Sequence, residues 1–120
     1  MADEELVHKK CVPCKGLTQP LSRDAAEKFL RDVPGWDLEG GEIRRTFRFR
    51  NYYETVSFIN AAAWIAHQED HHPDISFSYR QCTVRLTTHA IRGLSENDFI
   101  CAAKINRLLP ADPSESSREP

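Results

Sequence analysis

A chain of 120 residues with a net charge of -2 has the size of one domain and leaves no room for a second. Its pI near 6.2 and the absence of any basic run longer than two residues argue against nucleic acid as a direct ligand. The longest uncharged stretch, Thr55 to Ala66, is too short and, through Ser57 and Asn60, too polar to cross a bilayer. The start MADEELVHKK lacks an apolar signal core, so the expectation is a cytoplasmic protein without a membrane partner.

In chain order, residues 1–21 show no apolar period and contain Pro13, Gly16 and Pro20, which predicts an extended N-terminal arm. Cys11 and Cys14 form a C-x-x-C, but Cys82 and Cys101 fall in strand-like and helix-like runs instead of supplying a second pair at zinc-knuckle spacing. Both arm cysteines therefore read as reduced thiols. Ser22 is a suitable N-cap for a short helix in which Ala26, Phe29, Leu30 and Val33 recur until Pro34-Gly35 stops it. Trp36 to Leu38, the turn Glu-Gly-Gly-Glu, and Ile43 to Phe49 read as a hairpin, with Ile43, Phe47 and Phe49 facing the core and Arg44, Thr46 and Arg48 facing water.

Asn51 and Glu54 resemble a capping box opening a long helix, whose buried stripe is predicted as Tyr52, Val56, Ile59, Ala63 and Ala66. It ends near Asp70. Ile75, Phe77 and Tyr79 alternate with Ser76 and Ser78, and Cys82 to Thr88 alternates again, predicting a second hairpin. Ser95-x-x-Asp98 then opens a last helix through Phe99, Ile100, Ala103 and Leu108, closed by Pro110. The folded domain is thus residues 22–109, followed by a polar tail, 110–120, rich in Pro and Ser and expected to be disordered. The order α-β-β-α-β-β-α predicts an α+β fold, a four-stranded antiparallel sheet with helices packed on one face. An open sheet edge predicts a homo-oligomer.

His71 and His72 stand where Pro73 ends the long helix, and His89 follows the last strand at Thr88. The two strands concerned are hairpin neighbours, so their far ends, carrying the three histidines, are predicted to converge. Thr87 lies on the same strand face as His89, and the 88–91 loop offers backbone groups beside it. Three imidazoles, completed by Asp70 or Glu69, form a conceivable ligand set for zinc or iron. An adjacent His-His pair rarely aims both rings at one ion, however, and no H-E-x-x-H is present. The leading reading is acid–base chemistry without a metal, because imidazole donates and accepts protons near neutral pH.

The blocks DHHPDISFSY and VRLTTHAIRGLSENDFICAAKI, together with VPGW and RTFRFRNYYETVSFINAAA, resemble the pterin-4a-carbinolamine dehydratases over nearly the whole predicted domain. The resemblance implies dehydration of a 4a-hydroxytetrahydropterin to quinonoid dihydropterin and water, in tetrahydrobiopterin recycling. Pterin would be the substrate, with no cofactor and no metal. It implies a sheet covered by three helices and a homodimer built by extending that sheet, often paired into a homotetramer. Carried over by position, His71, His72 and His89 match the catalytic histidines. Asp70 and Pro73 flank the first pair, Thr87, Thr88 and Ala90 match the pterin-contacting loop, and Asp98 matches an acid near the pocket. His67 and Ile75 depart from the pattern of some members, and the i to i+4 spacing would let His67 act on His71. The rival reading is a pterin-binding or dimerisation-partner protein of the coactivator kind, without essential catalysis.

Overall fold

A computed structural model describes residues 2–12 and 19–109. Cys14 and the predicted tail lie outside the described residues. The elements are α1 (Ala2–Val7), α2 (Arg23–Leu30), β1 (Asp37–Glu39), β2 (Glu42–Arg48), α3 (Tyr52–Glu69), β3 (Asp74–Phe77), β4 (Gln81–Leu86) and α4 (Glu96–Asn106), with a short 3-10 turn at His89–Ile91. The α+β expectation holds: the sheet has the order β1-β2-β4-β3, all antiparallel, with the helices on one face. Among the described residues no helix is long and apolar enough to cross a membrane.

Local chemistry explains most of the boundaries. The Ser22 hydroxyl accepts from the Ala25 N–H at 3.1 Å and starts α2. Gly40-Gly41 turns the first hairpin, so that Glu39 pairs with Glu42. Gly35 has φ 92°, and a Cβ there would lie 2.5 Å from the Arg45 guanidinium. That guanidinium bonds the Pro34 carbonyl at 3.0 Å and the Asn106 side chain at 2.7 Å, tying the bend before β1 to the end of α4. Asn51 caps α3, accepting from the Glu54 N–H at 2.9 Å. Only half of the expected box forms, because the Glu54 carboxylate turns back to the Arg50 N–H at 3.0 Å and to its guanidinium.

Alternation buries Cys82, Val84 and Leu86 of β4 opposite Ile43 and Phe47 of β2, against Phe58 and Ala62 of α3 and Phe99 of α4. Helix α4 is buried over almost its entire circumference, from Asn97 to Ala103 and again at Ile105. A helix apolar all round must be covered on both sides.

That requirement explains the first correction. The segment expected to be an extended arm begins as the helix α1, which packs on α4 and buries Leu6 to 3% exposure. Its acidic, helix-favouring run ADEEL forms one turn and a half, too short for a period to register. The second correction concerns α3. Its buried stripe is Thr55, Phe58, Ala62, Ala66 and Glu69; of the predicted set Ala66 lies on it, Val56 and Ile59 are half-buried beside it, and Tyr52 and Ala63 are exposed. Both stripes are largely apolar, so composition alone could not choose between them. Third, β4 ends at Leu86, and His89 falls in the 3-10 turn because a Thr88–Gly93 bridge closes the 88–93 loop.

Candidate active site

The long helix α3 ends in a way that fixes His71. Asp70 adopts a left-handed conformation (φ 54°, ψ 44°), its N–H reaches the His67 carbonyl at 3.2 Å, and the His71 N–H reaches that of Ala66 at 3.0 Å. This pair of bonds is a Schellman terminator, and Pro73 then prevents any return to helix. Held in this way, His71 is 4% exposed, and its Nε2 lies 2.6 Å from Asp98 Oδ1.

Asp98 belongs to the capping box of α4. Its Oδ2 accepts from the Ser95 N–H at 2.9 Å and from the Thr88 hydroxyl at 2.8 Å, while the Ser95 and Thr88 hydroxyls are 2.8 Å apart. Surrounded by donors and with 0% exposure, the carboxylate takes the Nε2–H of His71 on its remaining oxygen. With Nε2 donating to that oxygen, Nδ1 is the acceptor nitrogen of the neutral ring. Since Thr88 precedes His89, one carboxylate ties together the segments carrying the first and third histidines.

The remaining sequence candidates lie at the surface or support it. The His72 side chain is 77% exposed, with Nε2 3.7 Å from Asp70 Oδ1, and the Asp70 side chain is 96% exposed. His89 and Ala90 are exposed in the 3-10 turn, and Pro73 is half-buried. Thr87 donates to the Gly41 carbonyl at 2.6 Å, anchoring the loop to the first hairpin. Asp98 and Thr88 are each 0% exposed, and their side-chain oxygens bond within the protein. His67 packs on Trp64, with ring centroids 5.6 Å apart, and is exposed.

Sequence reasoning missed a second layer. Glu69, with a 4% exposed side chain, pairs with Lys104 at 2.5 Å. Burial of this carboxyl works against its charge, but the Lys104 hydrogen bond, the Cys11 N–H and the charges of Lys104 and Lys10 outweigh burial and hold its pKa below the usual carboxylate value. Had the α3 stripe been placed correctly, a glutamate on its buried face would have been the signal. Cys101, one turn beyond Asp98 on α4, has its thiol pushed up to about 12, first by burial and then by the charges of Asp98 and Glu69, which makes it an inert core residue.

The family model described as pterin 4 alpha carbinolamine dehydratase matches residues 19–108. The chain belongs to that family. A Nitrosomonas eutropha protein named "Putative pterin-4-alpha-carbinolamine dehydratase" is 56% identical over 106 residues, covering 88% of this chain and 94% of the relative. A Stenotrophomonas maltophilia protein of the same name is 54% identical over 110 residues, covering 90% and 95%. The crystal structure of a "transcriptional coactivator/pterin dehydratase" from Brucella melitensis superposes with a TM-score of 0.73 at 31% identity, covering 77% of this chain and 100% of that one. The pterin dehydratase match thus takes in His67, His71, His72 and His89, whereas α1 and the residues after it to Val12 lie outside it.

Proposed function

We propose that this chain dehydrates a 4a-hydroxytetrahydropterin to quinonoid dihydropterin and water by histidine acid–base catalysis, returning the pterin for reduction in tetrahydrobiopterin recycling. The observation that carries the reading is the buried His71–Asp98 pair, one residue before an exposed His72 and tied through Thr88 to an exposed His89. The reaction breaks the C4a–O bond, with a proton delivered to the departing hydroxyl, and removes the proton from N5 as the C4a=N5 bond forms. One imidazolium and one neutral imidazole supply both transfers, and the reaction involves no net oxidation.

His71 and His89 exchange protons with the substrate, the first through the nitrogen that Asp98 leaves free. His72 orients the ring or the leaving hydroxyl. Asp70, Pro73, Thr87 and Ala90 frame the pterin, with Thr88 and Asp98 supporting from below. Neither a cofactor nor a metal takes part, because proton transfer requires uncoordinated imidazoles.

A stopped-flow absorbance assay with 4a-hydroxytetrahydropterin tests this reading, following its decay with and without the protein. The expected result is acceleration above the spontaneous rate, unchanged after exhaustive dialysis against chelator. Decay at the spontaneous rate despite measurable pterin binding would favour a binding protein, and activity lost to chelator but restored by zinc would favour a metal site.

A further inference from the structure

The segment after α1 makes a continuous series of contacts with two places in the fold. Lys9 Nζ lies 2.5 Å from Glu96 Oε2, and the Cys11 N–H donates to Glu69 Oε1 at 2.8 Å. The Val12 N–H donates to Asn97 Oδ1 at 3.0 Å, and Asn97 Nδ2 returns a bond to the Val12 carbonyl at 2.9 Å. The Cys11 thiol, half-buried, donates to the Asn97 carbonyl at 3.6 Å, and Lys10 Nζ lies 3.9 Å from Glu69 Oε2.

These contacts are not scattered over the surface. Glu69 is two residues before His71, and Asn97 is the residue before Asp98. Asn97 is 2% exposed and Glu69 7% exposed, so the arm supplies partners to polar side chains that are buried in the folded chain. Lys104 of α4 reaches the other oxygen of Glu69 at 2.5 Å, so α3, α4 and the arm meet at this one carboxylate.

We propose that residues 9–12 form a positioning element of the active site, stapling the end of α3 to the start of α4 and so holding the His71 ring against Asp98. Asn97 and Glu69 are positioning residues that act through their neighbours in the chain and touch no substrate. The staple lies outside the matched family domain, so the arm adds this constraint to a pocket built by residues 19–108. Displacement of a reacting group by about 1 Å costs up to about 100-fold in rate, which makes such a constraint kinetically visible. The kinetic part of the proposal rests on the acid–base reading above, whereas the geometric part does not.

Two variants of the full chain test it. Val12→Pro removes the arm's N–H donor at a 51% exposed residue outside the core, and Asn97→Ala removes the opposite half of the clamp. Proton–nitrogen NMR of the His71 ring reads the geometry, and steady-state turnover reads its consequence. Both variants are expected to broaden the His71 Nε2–H resonance or shift it upfield, and to lower kcat by about tenfold with KM within about twofold. Wild-type ring signals and kcat in folded variants that merely melt earlier would overturn the proposal. If Asn97→Ala fails to fold, Val12→Pro carries the test. If the wild-type protein shows no turnover, the ring resonance still decides the staple, and only the catalytic reading fails.

Discussion

At the scale of the residue, Asp98 shows how one side chain serves two purposes. The spacing Ser95-x-x-Asp98 was legible as a helix start, and the box forms with the Ser95 N–H at 2.9 Å. Its second role, receiving His71 at 2.6 Å, was not legible from spacing because it joins residues far apart in the chain. Resemblance placed Asp98 near the pocket, and the structure adds that it is buried against His71. Asp98→Asn keeps the shape while replacing one acceptor oxygen with an amide N–H₂, which removes the acceptor either for His71 Nε2–H or for the Ser95 N–H. It is expected to reduce the free energy of unfolding by about 1–3 kcal/mol and kcat by about 100-fold or more. Urea melts and steady-state kinetics check the two effects, and an unchanged kcat would remove Asp98 from the mechanism.

Among the elements, α3 gave both the clearest success and the clearest miss. Its cap, length and end beside the histidines follow from Asn51, the apolar run and Pro73. Its rotation did not, because Tyr52, Val56, Ile59 and Ala63 form a second apolar stripe beside the one that is buried. The terminator itself is under local strain, since Asp70 occupies the left-handed region that glycine enters without a Cβ clash. Asp70→Gly is expected to raise stability by about 0.5–1 kcal/mol, seen as a higher thermal midpoint; a lower midpoint would mean that the carboxylate itself supports the turn.

One residue earlier, Glu69 makes the same helix end sensitive to acid. Because its folded pKa is depressed, its charge contributes stability that is fully present above the unfolded value of about 4.3 and is lost as pH falls through the lower folded value. Glu69→Gln is therefore expected to be less stable than wild type by about 1–3 kcal/mol at neutral pH, with the gap closing in acid. Denaturant melts between about pH 7 and about pH 3 measure it. A gap that stays constant across that range would show that the charge contributes nothing.

Viewed as a whole, the molecule leaves two sheet edges, β1 and β3. The charged strand β2 is interior, so its arginines guard no edge. Instead, the Arg44–Glu39 pair at 3.3 Å and the Arg85–Glu42 pair at 2.8 Å bridge strands on the outer face. Edge β1 is short and carries Asp37 and Glu39, which discourages pairing. Edge β3 carries one acid, Asp74, at its start, and beyond it Ser76 and Ser78 stand beside Phe77, 50% exposed, and Tyr79, 62% exposed, with Tyr52 stacked on Tyr79 at 5.7 Å. We propose that a second copy pairs along β3 to give a homodimer, the unit from which a homotetramer would be built. Sedimentation at about 10 μM should show a dimer or larger, the state expected for a complex with a dissociation constant near ~1 μM, and glutamates at both Ser76 and Ser78 should weaken it. A wild-type monomer would refute the oligomer, and an unaffected dimer in the double variant would move the contact to another surface.

If His71, held by Asp98, exchanges a proton with the pterin, stopped-flow kinetics of His71→Ala on 4a-hydroxytetrahydropterin must register the loss of that transfer. Expected is a loss of about 100-fold or more in turnover, the range for a general acid–base group, with the circular dichroism spectrum unchanged. Turnover within about threefold of wild type in a folded His71→Ala variant would contradict the account.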